Sequence, residues 1–256
     1  MSTDRLVSRF GPGVVAWVDA LPARIDRLAR RWNLAVVRPL VGNTSHTLYC
    51  HRRGTTPVVL KLVPELDLVA EEHAALAAWS GSPSVVRVLE VDLGEGALLL
   101  EHLEPGTPVR GADGGRVADL LAGLRRPAPE GFRPLADRVD LMFSLLQRRT
   151  PGYYDRAHSA ALALADDRVP PALLHGDLHP DNVLDAGPRG LVAIDPRPCV
   201  GDPAFDAVDF AFDGGDPYAR AEELSAVVDP ERLLAWCRAL SVFSPAWRRI
   251  IQPGER

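Results

Sequence analysis

Hydrophobic spacing divides the chain into a helical opening, a strand-rich stretch and a helix-rich remainder. From residue 12 to 32, Val14, Val15, Trp17, Val18, Leu21, Ile25, Leu28 and Trp32 recur at helical intervals. They predict an N-terminal helix broken at Pro22, with Arg24, Arg27, Arg30 and Arg31 on a solvated side. Three strands are predicted next, Leu34 to Val41, Thr47 to His51 and Pro57 to Val63, joined by Gly42-Asn43-Thr44-Ser45 and Arg53-Gly54-Thr55. A helix follows from about Leu68 to Trp79, capped by Asp67, with Leu68, Leu76 and Trp79 as its apolar stripe. Val85 to Val91 and Ala97 to Leu103 read as an antiparallel pair around Gly94-Glu95-Gly96. Beyond Gly106 the period becomes helical over Val117 to Leu124, Leu135 to Arg149, Tyr153 to Asp166 and Glu231 to Phe243.

Two positions break this pattern and point to chemistry. Lys61 stands on the face of its strand that also carries Val59 and Val63, and a charge on an apolar face needs a partner. Glu72 falls on the stripe of the following helix, four residues from Leu68 and four from Leu76, so it is favoured as that partner over Glu71. Composition strengthens the point. Of the 29 basic residues Lys61 is the only lysine, which suggests a site where a guanidinium cannot replace a compact ammonium.

The densest constellation is Leu174-His175-Gly176-Asp177-Leu178-His179-Pro180-Asp181-Asn182-Val183-Leu184, followed by Leu191-Val192-Ala193-Ile194-Asp195. Apolar segments pin a polar loop at both ends, so Asp177, Asn182 and Asp195 are expected to converge. Asn182 and Asp195 suit Mg²⁺, while Asp177 suits orienting a nucleophilic hydroxyl. Taken singly, each residue fits a solvated turn equally well; the set at this spacing matches the catalytic-loop order of protein kinases. Further on, Asp202 can cap a helix opened by Pro203, and Asp209, Asp213 and Asp216 could form a rim facing a cationic substrate.

The rest of the composition sets bounds. With 256 residues, 46% apolar and 25% charged, the chain suits one soluble domain or two small lobes. No apolar run is long enough to cross a bilayer, and no secretory signal is visible. Cys50, Cys199 and Cys237 are too few and scattered for a disulfide framework or a thiolate metal site, which fits a reducing cytoplasm. A net charge of −5 argues against nucleic acid as a partner and is compatible with a cationic substrate.

The loop centred on His175, Asp177 and Asn182, with Ile194-Asp195-Pro196 and Gly201-Asp202-Pro203-Ala204-Phe205-Asp206, resembles the aminoglycoside phosphotransferase family. Phe10-Gly11-Pro12, Val59-Leu60-Lys61-Leu62, Glu72 to Leu76, Ala97 to Glu101 and Pro105-Gly106-Thr107 extend the likeness toward its streptomycin 6-phosphotransferase and hydroxyurea phosphotransferase branch. The resemblance implies an α+β, protein-kinase-like two-lobed fold, with a sheet lobe over 1–104 and a helical lobe over 105–256. It implies ATP and Mg²⁺ as cofactors and Asp177 as catalytic base, with Asn182 and Asp195 on the metal and Lys61, paired to Glu72, on the α and β phosphates. Gly42, Asn43 and Ser45 would lie over the phosphates; Glu101, His102 and Leu103 would read the adenine edge; His175 and Asp206 would brace the loop. One departure is Ser84, which stands where a glycine is expected. The expected protein is a monomeric cytoplasmic enzyme that phosphorylates a hydroxyl of a cationic aminoglycoside or aminocyclitol of the streptomycin type. Its alternatives are a kinase of an amino alcohol or sugar, or a nucleotide-binding module without turnover.

Overall fold

A computed structural model describes residues 6–7, 10–40, 45–167 and 169–251. The chain folds as two compact units: Met1–Ser80 with Val86–Leu103, and Gly81–Val85 with Glu104–Arg256.

The first unit contains α1 (Val14–Trp32), β1 (Leu34–Pro39), β2 (His46–Arg52), β3 (Thr56–Leu62), α2 (Leu66–Ala78), β4 (Val88–Asp92) and β5 (Ala97–Glu101). The five strands form one antiparallel sheet in the order β1-β2-β3-β5-β4. Leu21, Leu28 and Trp32 of α1 pack on the face made by Leu48, Cys50, Val58, Leu60, Leu62, Ala97 and Leu99. Strand alternation therefore sends Lys61 to the opposite face.

Three expectations change here. The helix does not break at Pro22 but runs through it, its apolar contacts outweighing the hydrogen bond that proline removes. Most of its arginines are not merely solvated: Arg24 and Arg27 both hold Glu95, each at 2.9 Å, and Arg31 pairs with Asp92. Asp67 is not the cap of α2. Glu65 occupies that position, and Asp67 lies in the first turn, where its charge favours the helix N-terminus. The buried stripe of α2 is Val69, Glu72, Ala75 and Leu76.

The second unit contains β6 (Thr107–Pro108), α3 (Gly114–Leu124), α4 (Leu135–Arg149), α5 (Asp155–Ala165), β7 (Ala172–Leu174), β8 (Val183–Asp185), β9 (Leu191–Ala193), β10 (Cys199–Gly201), α6 (Val208–Asp213), α7 (Pro217–Glu223), α8 (Pro230–Leu240) and α9 (Pro245–Ile251). β7 pairs with β10, while β8 lies between β6 and β9. These strands are only two or three residues long, too short to show a period. Their role is to fix the ends of the loops that follow β7 and β9. The last predicted helix stops at Leu240; a tight turn, Ser241–Phe243, leads into α9, which the hydrophobic spacing did not indicate.

Val85, which belongs to the second unit, bridges Ala193 of β9. Ser84 accepts the Ala193 N–H at 2.9 Å and packs on Gly123 of α3, where an added Cβ would come within 2.0 Å of the Ser84 hydroxyl. The serine is thus accommodated by a glycine opposite it.

Candidate active site

In the sheet unit, Lys61 Nζ donates to both carboxylate oxygens of Glu72, at 2.7 and 2.6 Å. Both residues are 5% exposed, so the pair is closed off from water. Such an arrangement makes removal of either partner costly and fixes the ammonium in one place. Ser45, expected over phosphates, is buried with its hydroxyl 3.1 Å from that of Thr47, the residue opposite Lys61 in the ladder. Gly42 and Asn43 lie outside the described residues.

At the end of β5, Glu101 donates its N–H to the Arg87 carbonyl at 3.0 Å, and its carboxylate accepts from the Arg87 N–H and guanidinium. Of the three residues expected to read a base edge, this one has its backbone donor already engaged. The His102 ring stands edge-on to Tyr49 at 4.9 Å, and Leu103 is buried.

In the helical unit, β7 delivers the chain into His175-Gly176-Asp177. Gly176 adopts φ +75°, and an added Cβ there would come within 2.0 Å of the Arg197 carbonyl oxygen, so only glycine fits. Asp206 braces this turn from 30 residues away, its two oxygens accepting the His175 N–H at 2.6 Å and the Gly176 N–H at 2.9 Å. Burial nevertheless pushes its carboxyl up to about 6. His175 is fully buried, and that burial drives its imidazole down to about 4. It is therefore neutral, with Nε2–H donating to the Ile194 carbonyl at 2.9 Å and Nδ1 accepting the Asp177 N–H at 3.3 Å. Its role is to tie the loop after β7 to the end of β9.

Asn182 closes the loop. Its Nδ2 donates to the Asp177 carbonyl at 2.9 Å, and its own carbonyl accepts the Ile194 N–H at 2.9 Å. The amide nitrogen is thus engaged by Asp177. Asp195 follows β9 with φ +59°, a left-handed backbone that an aspartate tolerates better than most residues. An amide oxygen and a carboxylate are hard donors that fit Mg²⁺, which completes its shell with phosphate oxygens and water. Among the described residues, no cluster of three or more His, Cys, Asp or Glu side chains is arranged to hold a metal ion, so a metal here would rest on this pair.

Asp177 itself is partly open, its side chain 37% exposed. It borders a cavity of about 190 Å³ whose walls include Met142, Leu178, Phe205, Leu240, Phe243 and Trp247. Asp209 lines the same cavity. Burial, reinforced by the negative charges of Asp177, Asp206 and Asp213, pushes its carboxyl up to about 7. Asp213 is not among the lining residues; at the end of α6 its carboxylate is taken by the Gly111 N–H. Asp216 caps α7 instead.

Three features escaped the reading of the sequence. Arg138 of α4 binds Asp177 Oδ1 and the Gly176 carbonyl, each at 2.8 Å. The available signal was its placement three residues after Leu135 and four before Met142, on the flank of an apolar stripe. Asp202 was expected as a cap, and it does accept the Ala204 N–H. It also receives the Trp236 indole at 2.6 Å and the Arg232 guanidinium, which ties α8 to the segment after β10. Trp247, on the cavity wall, came from the unforeseen α9.

An antiparallel five-stranded unit carrying a buried Lys–Glu pair, joined to a helical unit carrying the Asp177 loop, is the protein-kinase-like fold. Choline kinase LicA from Streptococcus pneumoniae superimposes with a TM-score of 0.67 at 16% identity, covering 93% of each chain. The streptomycin-ATP-APH(2")-IIa ternary complex gives a TM-score of 0.60 at 16% identity, over 90% of this chain and 92% of that one. The family model for aminoglycoside/hydroxyurea antibiotic resistance kinases matches residues 31–251, and the chain belongs to that family. It is 34% identical to a hydroxyurea phosphotransferase of Kitasatospora aureofaciens, over 93% of this chain and 76% of that protein. It is also 34% identical to a streptomycin 6-kinase of Streptomyces glaucescens, over 80% of this chain and 75% of that protein. The protein is accordingly a kinase, a phosphotransferase acting on the hydroxyl of a small molecule.

Proposed function

We propose that the protein transfers the γ-phosphoryl group of ATP, with Mg²⁺, to a hydroxyl of a cationic aminocyclitol antibiotic of the streptomycin type. Lys61, held by Glu72, contacts the α and β phosphates, and Asn182 and Asp195 would hold the metal, which would neutralise phosphate charge. Asp177 accepts the proton of the acceptor hydroxyl as its oxygen bonds to phosphorus and the bond to ADP breaks. His102 and Leu103 read the base edge, and Ser45 lies near the phosphates. Most of the rate gain comes from positioning and charge neutralisation, since a loose phosphoryl-transfer transition state demands little covalent chemistry of the protein. The reaction is cytoplasmic, where ATP is available; among the described residues no helix is long and apolar enough to cross a membrane.

The observation that carries this reading is the partly open Asp177 at the edge of an aromatic-walled cavity that also holds Asp209. Asp209 has no hydrogen-bonding or ion-pair partner among the described residues, and an unpaired acid beside aromatic rings suits a guanidinium or ammonium group. That favours a cationic acceptor over neutral hydroxyurea. The test is phosphate transfer from ATP with Mg²⁺ to streptomycin and, in parallel, to hydroxyurea, read by mass spectrometry with Asp177→Ala as control. Addition of one phosphoryl group to streptomycin by the wild type alone is the expected result. Modification of hydroxyurea alone would reject the cationic acceptor, and modification of neither would reject the substrate class.

A further inference from the structure

The Asp177 carboxylate is held by a residue that belongs to no part of the kinase loop. Arg138 lies one turn into α4, and that end of the helix is anchored to the same strands that carry the loop. Leu135 packs against Gly201 so closely that an added Cβ would meet it at 2.5 Å, the Val200 N–H donates to the Arg133 carbonyl at 2.8 Å, and Pro134 bridges Val200. β10, which contains Val200 and Gly201, pairs with β7, and β7 runs straight into His175. The guanidinium therefore sits on a short, rigid path from the loop it grips, and its side chain is 16% exposed.

From the two bonds it makes, we infer that Arg138 is a positioning residue for phosphoryl transfer, and that it decides which acid in the cavity receives the acceptor's cation. The inference rests on Asp177 being the acceptor-side carboxylate. One planar guanidinium spans the Gly176 carbonyl and Asp177 Oδ1, so it fixes both the backbone and the carboxylate rotamer. Oδ2, 3.4 Å from Asn182 Nδ2, is the oxygen left to meet an acceptor hydroxyl. Lysine could satisfy one of these partners but not both in this geometry. The ion pair also removes Asp177 as a competing anion. Two acids line the cavity, and with Asp177 paired to Arg138 the cationic group of the acceptor is directed to Asp209, leaving its hydroxyl to Asp177.

The experiment compares wild type with Arg138→Met, Arg138→Lys and Arg138→Ala. It measures kcat and KM for streptomycin, KM for ATP, melting temperature and slow ATP hydrolysis without acceptor. Arg138→Met is expected to lose about 10²-fold in kcat, the scale of a misplaced catalytic group, with KM for ATP within about twofold of wild type. Its KM for streptomycin should stay level or fall, because freeing Asp177 adds a second anion that can hold the cation unproductively. Arg138→Lys should recover the melting temperature but only part of kcat, and methylguanidinium added to Arg138→Ala should restore part of the rate. A merely structural arginine would lower melting temperature, ATP affinity and rate together and would show no guanidinium rescue. That pattern, or full activity in Arg138→Met, would overturn the inference while leaving the proposed function intact. Wild type lacking both transfer and ATP hydrolysis would overturn both.

Discussion

The protein holds its two key charges in opposite ways. Lys61 and Glu72 form a closed pair, each 5% exposed, placed by strand alternation on β3 and helical period on α2. Asp177 is 37% exposed and sits on an irregular loop. Its position depends on Asp206, His175, Asn182 and Arg138, side chains brought from distant parts of the chain. A buried ion pair can be built by regular secondary structure and tolerates little change, because either charge left alone has no water to turn to. A partly exposed carboxylate costs little to leave unpaired, so what its supports secure is geometry. Damage to the first site should therefore appear as lost stability, and damage to the second as lost rate.

The sharpest test of that contrast is Asp177→Ala. Phosphoryl transfer should fall by about 10³-fold or more, the upper range for losing a general base, while nucleotide binding and melting temperature stay near wild type. Equal loss of binding and transfer would show that Asp177 supports the fold or the nucleotide rather than the acceptor. Asp195→Ala is the next largest. Calorimetric titration with and without Mg²⁺ should show that the variant binds ATP no better with the metal than without it. Retained metal dependence would move the magnesium site elsewhere.

The same contrast explains what was readable in advance. Lys61 and Glu72 could be paired from the sequence because each interrupts an apolar stripe at a regular period, and two interruptions within reach solve each other. The order of Asp177, Asn182 and Asp195 was legible because the loop is short and local. Its supports were not. Arg138 precedes Asp177 by 39 residues, and Trp236 follows Asp202 by 34, so nothing local marks either contact. The short strands β6 and β10 escaped because two or three residues cannot display alternation. α9 escaped because, over seven residues, its only buried side chain is Ile251. Pro22 misled because local propensity argues for a break, whereas the face carrying Leu21 and Leu28 is paid for by the sheet beneath it.

Stability measurements probe the closed pair. Glu72→Ala should lower unfolding free energy by about 3–5 kcal/mol, the cost of a buried charge stripped of its partner, as read by denaturant titration. Replacing both partners, with Lys61→Met and Glu72→Leu together, should recover much of that loss and remain inactive. Recovery of stability without activity would separate the fold's need for satisfied burial from the role in the reaction proposed for the Lys61 ammonium. If the double variant is as unstable as Glu72→Ala, packing rather than charge governs this site.

The smallest effect expected lies between the two extremes, at Asp209, an acid that is largely buried yet lines the cavity beside Asp177. Its carboxyl is raised to about 7 from an ordinary value of 3.8, so between those limits the folded chain holds a proton that the unfolded chain has released. Stability from this group is full at low pH and is lost as pH rises through about 7. Asp206, raised to about 6, acts in the same direction over a narrower window. Asp209→Asn mimics the protonated form at every pH. Its melting temperature should match wild type near pH 4 and exceed it by a few degrees at pH 8, while KM for a cationic acceptor rises. A pH-independent difference would mean that Asp209 is solvated and does not belong to the buried wall. A gain in stability with unchanged KM would keep the buried acid but remove it from acceptor binding. Only the combination, more stable at high pH and weaker for the cation, fits an acid whose charged form costs the fold and serves the substrate.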